Sequence, residues 1–158
     1  MSIDDLDVRL IAELRSSPRV GVVELSRRLS VARGTVQSRL ERLTESGVIT
    51  GFGPDLDLER VGFGVKAYVT IEVKQGVVDA DMVKALSAIP EVLEVYSVAA
   101  QGDLLCQVVA RSNEHIMRIL ERVLAIPGTA RTNTAIVLKS QIRQSGLALL
   151  EQLTETRE

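Results

Sequence analysis

Between positions 27 and 42 the chain places five arginines, Arg27, Arg28, Arg33, Arg39 and Arg42, against one acid, Glu41. Guanidinium groups at that density suit phosphate oxygens, which they hold by charge and by forked N–H donors. On charge alone, a solvated helix face accounts for the same run. Gly34, Thr35, Gln37 and Ser38 stand among the arginines. Such short or amide-bearing side chains can reach base edges in a major groove about 12 Å wide. The candidate contacts to double-stranded DNA are therefore Arg27, Arg28, Arg33, Gly34, Thr35, Gln37, Ser38, Arg39 and Arg42.

Little else in the chain could do chemistry. One histidine, His115, and one cysteine, Cys106, leave no Ser/His/Asp set and no ordinary zinc site. There is no phosphate-binding glycine loop. Cys106 falls in an apolar segment and is expected as a small core residue, and His115 is expected exposed near a helix start. No cofactor is called for, and enzyme function is not expected. A single cysteine fits a reducing cytoplasm. No apolar run reaches the ~18–20 residues of a membrane span, and the first 15 residues lack a signal-peptide pattern.

The elements that must position these arginines follow from periodicity. The chain has 158 residues, 46% hydrophobic and 25% charged, with a net charge of −2. Residues 1–52 carry eight arginines and seven acids, so the excess acid lies in the remainder. Ile3, Leu6, Leu10, Ile11 and Leu14 recur at helical spacing, with Asp4, Asp5 and Asp7 in the first turn, where carboxylates suit the helix dipole. Val22, Leu25 and Leu29 mark a second helix. After Ser30-Val31-Ala32, Val36, Leu40 and Leu43 form the inner stripe of a third, with Gly34, Ser38, Glu41 and Arg42 directed outward. Gly47 ends it, and Val48 to Phe52 has the look of a strand or wing.

Residues 53–64 read as a linker, and beyond it the period changes to two. Val65, Ala67, Val69, Ile71 and Val73 alternate with polar residues, giving a half-buried strand and then a turn at 75–79. A helix through Met82 and Leu86, strands at 92–99 and 104–110, a helix through Ile116 to Leu124 and a strand at 132–139 complete the series. The order βαββαβ is that of a ferredoxin-like sandwich, so the whole chain is expected to be α+β. Residues 143–158 read as a tail or closing helix. In the second strand Leu93, Val95 and Ser97 should point one way and Val92, Tyr96 and Val98 the other. In the third, Leu104, Cys106 and Val108 should oppose Leu105 and Val109. Central strands apolar on both sides need a second cover, and another copy of the chain is the simplest one.

Leu6-Asp7, Val23-Glu24-Leu25-Ser26, the run Val36 to Leu43 and Gly47-Val48-Ile49-Thr50-Gly51 resemble the Lrp/AsnC (feast/famine) transcriptional regulators. The resemblance extends over residues 3–142, with Thr134 to Lys139 adding to it. It implies a winged helix-turn-helix joined to a ferredoxin-like ligand-sensing and oligomerisation domain. It also implies homodimers assembling to a higher oligomer such as an octamer, with an amino acid as effector. The family's effector loop reads Val-Thr-Gly-Asp-x-Asp. Here the matching stretch is Val98, Ala99, Ala100, Gln101, Gly102 and Asp103, which keeps the first valine and the last aspartate and moves the glycine two places. Gly102 could bring backbone N–H groups to a carboxylate and Asp103 could pair with an ammonium group. Asp103 could equally be satisfying a turn. Thr132 and Thr134 are the polar lining that the resemblance adds. The expected function is sequence-specific transcriptional regulation under a small effector; the alternative is an effector-independent architectural DNA-binding protein of low specificity.

Overall fold

The computed structural model describes residues 3–74, 78–100, 102–142 and 146–155, with backbone alone at 100 and 153–155. Gln101 and the first three residues of the expected turn at 75–79 lie outside the described residues. Two compact units emerge. One joins the first 55 residues to the segment from Ile142 onward, and the other is Leu56–Gln141.

In the first unit α1 spans Asp5–Ser16, α2 Val22–Leu29 and α3 Arg33–Glu45. Helix α1 starts at a reciprocal capping box. The Asp7 N–H donates to Asp4 at 3.0 Å, and the Asp4 N–H donates back to Asp7 at 3.1 Å. Helix α2 ends on Ser30, whose φ of 56° is left-handed, while the Val31 N–H closes on the Ser26 carbonyl at 3.1 Å. That closure holds the connection to Ser30, Val31 and Ala32, so α3 starts at once. Leu10, Leu25, Leu29, Val36 and Leu43 form the buried centre. Each fully buried leucine contributes about 1.5–3 kcal/mol.

The expected strand at Val48 to Phe52 does not form. Ile49 packs on the helical core, and its N–H donates to the Leu43 carbonyl at 3.0 Å. A wing strand needs a neighbour for its backbone groups, and among the described residues the first unit contains no strand. Gly51, Gly53 and Pro54 also favour irregular backbone there. The last element, α6 (Leu147–Glu155), packs against α1.

The second unit runs β1 (Val65–Val73), α4 (Ala80–Ser87), β2 (Val92–Ala100), β3 (Gly102–Ala110), α5 (Asn113–Leu124) and β4 (Thr129–Val137). The sheet order is β2-β3-β1-β4, with every pairing antiparallel. That is the split βαβ expected from the sequence. Val69 faces Cys106 and Ile71 faces Leu104 across β1 and β3, and their shared face is buried with Met82, Leu86, Ile116, Ile119 and Val123 of the helices.

Two sequence expectations change. A bulge leaves Val92 opposite Val108 but Glu94 opposite Gln107, with Leu93 as the extra residue. Val92 and Val95 therefore both pack on the core, although strict alternation assigns them to opposite faces. The last strand runs from Thr129 to Val137, three residues earlier at its start than expected. Val137 pairs with Lys66 as the last position of this ladder, and Leu138 and Lys139 lie past the end of the strand.

Candidate DNA-reading helix and effector loop

The exposed side of α3 is made by Arg33, Gly34, Gln37, Ser38 and Glu41, with Thr35 half-buried at its edge. No large apolar side chain interrupts it. Gln37 Nε2 donates to Glu41 Oε1 at 2.8 Å, which orients the amide along the helix. A Cβ added at Gly34 would meet nothing within 4 Å, so this glycine answers no internal packing need. It also costs helix stability, about 1 kcal/mol relative to alanine.

The arginines divide into three groups. Arg27 and Arg28 share Glu24, with Nε–O distances of 2.9 and 2.8 Å, and Arg28 also reaches Glu13 at 2.9 Å. Hydrogen bonds from Arg27 and Arg28 hold the Glu24 carboxyl down to about 2. Both guanidiniums remain on the surface. Arg33 is exposed and, among the described residues, stands in no ion pair.

Arg39 and Arg42 turn back toward α1. Arg39 Nη1 donates to Asp4 Oδ1 at 2.5 Å and to Asp7 Oδ1 at 2.9 Å, and Arg42 Nη2 donates to Asp7 Oδ1 at 2.6 Å. Asp7 is 0% exposed. The outward direction expected for Arg42 is thus corrected. Its Cα lies on the outer side, but the long stem carries the guanidinium round the helix to a buried carboxylate. The hydrogen bond from Arg39 is the main reason the Asp4 carboxyl sits below its ordinary range. Sequence reasoning assigned Asp4 and Asp7 to the helix dipole and missed this role. The available signal was a pair of acids three apart matched to arginines three apart.

In the second unit the expected loop is shorter than its residues implied. Val98, Ala99 and Ala100 belong to β2, and Gly102 and Asp103 open β3. Gly102 has φ +99°, and a Cβ there would stand 2.2 Å from Thr70 Cγ2, so only glycine fits. Asp103 Oδ2 accepts the Val73 N–H at 2.7 Å, which ties β3 to the end of β1. Thr132 and Thr134 pair with Ile71 and Val69 on β1, and both threonines are half-buried. Asp103 and Thr132 therefore lie on the two strands flanking β1, at one end of the sheet. Strand spacing alone separates them by about 10 Å.

Cys106 is wholly buried, and burial pushes its thiol up to about 11, which makes it a poor nucleophile. His115 is not exposed as expected. Its Nε2 lies 3.3 Å from Glu91 Oε1, its Nδ1 accepts the Arg111 N–H at 3.2 Å, and its side chain is 18% exposed. Ser112 caps α5, its hydroxyl accepting the His115 backbone N–H at 3.1 Å. Among the described residues no group of His, Cys, Asp and Glu could hold a metal.

An Lrp/AsnC ligand binding domain model matches residues 66–147, and a winged helix-turn-helix DNA-binding model matches residues 3–50. The chain belongs to the Lrp/AsnC family. It is 32% identical over 137 residues to the HTH-type transcriptional regulator FL11 of Pyrococcus furiosus, covering 87% of this chain and 90% of that one. Among solved structures it is similar to E. coli AsnC, with a TM-score of 0.80 and 26% identity over 92% of this chain and 98% of that one. A feast or famine regulatory protein of M. tuberculosis, solved with L-methionine, gives a TM-score of 0.79 and 30% identity. That alignment covers 90% of this chain and 96% of the other. As an Lrp/AsnC protein, the chain is a DNA-binding transcriptional regulator. Among the described residues no helix is long and apolar enough to cross a membrane.

Proposed function

We propose that this Lrp/AsnC regulator reads its operator through the exposed face of α3 and acts as a homodimer or larger assembly under a small amino-acid effector. The observation that carries the reading is the polar surface of Arg33, Gly34, Gln37 and Ser38, offered at the start of a helix that a three-residue turn sets against α2. Arg27, Arg28 and Arg33 supply phosphate contacts, which set register without reading sequence. The open space at Gly34 lets a sugar-phosphate backbone or base edge come close.

Dimerisation is assigned to the sheet face opposite the helices. Tyr68, Leu105, Ala135 and Val137 sit there among Lys66, Glu72, Gln107 and Asn133, and Tyr96 is 48% exposed. A mixed, self-complementary face of this kind suits a two-fold partner. The effector is placed at the β2–β3 hairpin, from Val98 to Asp103, with Thr132 and Thr134 as candidate lining. L-methionine bound to the M. tuberculosis relative supports an amino acid as its class.

The test is a duplex enriched from a random pool on the purified protein. It should bind about 10³-fold or more tightly than random sequence at the same salt. Ser38→Ala should erode that ratio, and Arg27→Ala should weaken both duplexes alike. Equal affinity for every duplex favours the architectural alternative. Melting-temperature shifts across the twenty amino acids test the effector separately.

A further inference from the structure

We infer that Asp7 is the positioning residue of the DNA-reading helix: with Asp4 it withholds Arg39 and Arg42 from phosphate and fixes which side of α3 meets the duplex. The inference rests on α3 being the reading helix. Asp7 is fully buried at the start of α1, yet its carboxylate meets three donors: the Asp4 N–H, Arg39 and Arg42. The two arginines are three apart on α3, so their Cα atoms lie about 60° apart round the helix. One carboxylate gripping both restrains rotation of α3 about its own axis as well as its distance from α1. The apolar stripe of Val36, Leu40 and Leu43 sets this rotation coarsely, and the directional bonds to Asp7 narrow it.

Orientation matters at this point because base readout is geometric. A modest turn of α3 would carry Ser38 and Gln37 away from the floor of the groove while leaving the phosphate contacts of Arg27 and Arg28 within reach of their long stems. A helix with five arginines near it otherwise has a simpler way to bind DNA, which is to cling to any backbone. Tying Arg39 and Arg42 to a buried acid, beyond the surface pairing of Arg27 and Arg28 with Glu24, lowers that sequence-independent attraction. The acids of α1 thus shift the balance from grip toward discrimination.

Asp4 and Asp7 differ in what they allow experimentally. Asp4 is half exposed and caps α1, and asparagine caps as well as aspartate. Asp4→Asn therefore keeps the helix start and removes one of the two carboxylates that hold Arg39, leaving Asp7. On a random-sequence duplex, the slope of log Kobs against log salt should steepen, by no more than one phosphate equivalent, ~0.9. Preference for the enriched duplex should fall several-fold, with a small change in melting temperature. Asp7→Asn, where it folds, should move both quantities further in the same directions. Arg39→Ala should leave the slope on random duplex unchanged, whereas Arg33→Ala should flatten it.

A merely structural role for the acids would lower the active fraction and leave slope and preference alone. Unchanged slope and preference in Asp4→Asn, or an Arg39→Ala slope as flat as that of Arg33→Ala, overturns the inference. A wild-type chain without sequence preference removes the operator-reading proposal instead. The slope on random duplex then still reports release of the arginines.

Discussion

Asp7 and Asp103 are carboxylates at opposite extremes of commitment. Asp7 is sealed from water and binds two guanidiniums and a backbone N–H, joining helices more than thirty residues apart in sequence. Asp103 is half-buried and accepts the Val73 N–H at the end of a strand pair. Loss of the first takes away the buried carboxylate that two partly exposed guanidiniums share; loss of the second leaves a donor at a sheet corner that water can reach. The helical unit is therefore braced from within by one carboxylate, whereas Asp103 satisfies a single donor at the rim of the sheet.

Breaking the contrast begins with Asp7→Ala. It should remove about 3–5 kcal/mol of stability, because a buried carboxylate that accepts from Arg39, Arg42 and the Asp4 N–H is lost at once, with Asp4 alone left to Arg39. Urea unfolding at pH 7 measures this, and a loss below 1 kcal/mol would equate Asp7 with an ordinary surface acid. Gly102→Ala should come next, at about 2–4 kcal/mol, since left-handed backbone and the Thr70 methyl both oppose a Cβ. Asp103→Ala should cost about 1–3 kcal/mol for the orphaned Val73 N–H. It should also abolish any melting shift given by an amino acid while the unliganded chain stays folded. An unchanged shift would move the effector away from the hairpin.

Acid sharpens the comparison with the smallest effect. The Asp4 carboxyl is held low chiefly by Arg39. At Glu91 burial pushes the pKa up, but a backbone N–H, Arg122 and His115 outweigh it and hold the group below its ordinary range. For both, the folded chain takes up the proton at lower pH than the unfolded chain. Their stabilisation is present above about pH 4–5 and declines as pH falls through the depressed values. Urea midpoints followed from pH 6 to pH 3 should fall in both units. Asp4→Asn should flatten the helical unit's profile alone.

Much of this is legible in the amino-acid sequence. The leucine and valine spacing of the first 45 residues gave three helices, and the alternation of Val65 to Val73 gave the central strand, because apolar period follows directly from which face is buried. The extra residue at Leu93 was not legible. A bulge inverts the face of everything after it, and nothing in Val-Leu-Glu-Val announces one. Arg42 escaped for a different reason: helical projection locates a Cα, whereas its guanidinium lies at the end of a flexible stem. Asp103 was visible as a chemical group but not as one already engaged, since its partner Val73 is thirty residues away.

Helix α6 rests on α1, yet about 130 residues of chain separate them. At a ribosomal pace of about 5–20 residues per second, α1 waits roughly 6–26 s for that neighbour. All four strands of the second unit are made during the wait, so the sheet has its full complement before the helical unit does. A nascent chain therefore shows the bare flank of α1 to the cell's chaperones for seconds. Only the arrival of α6 ends this exposure.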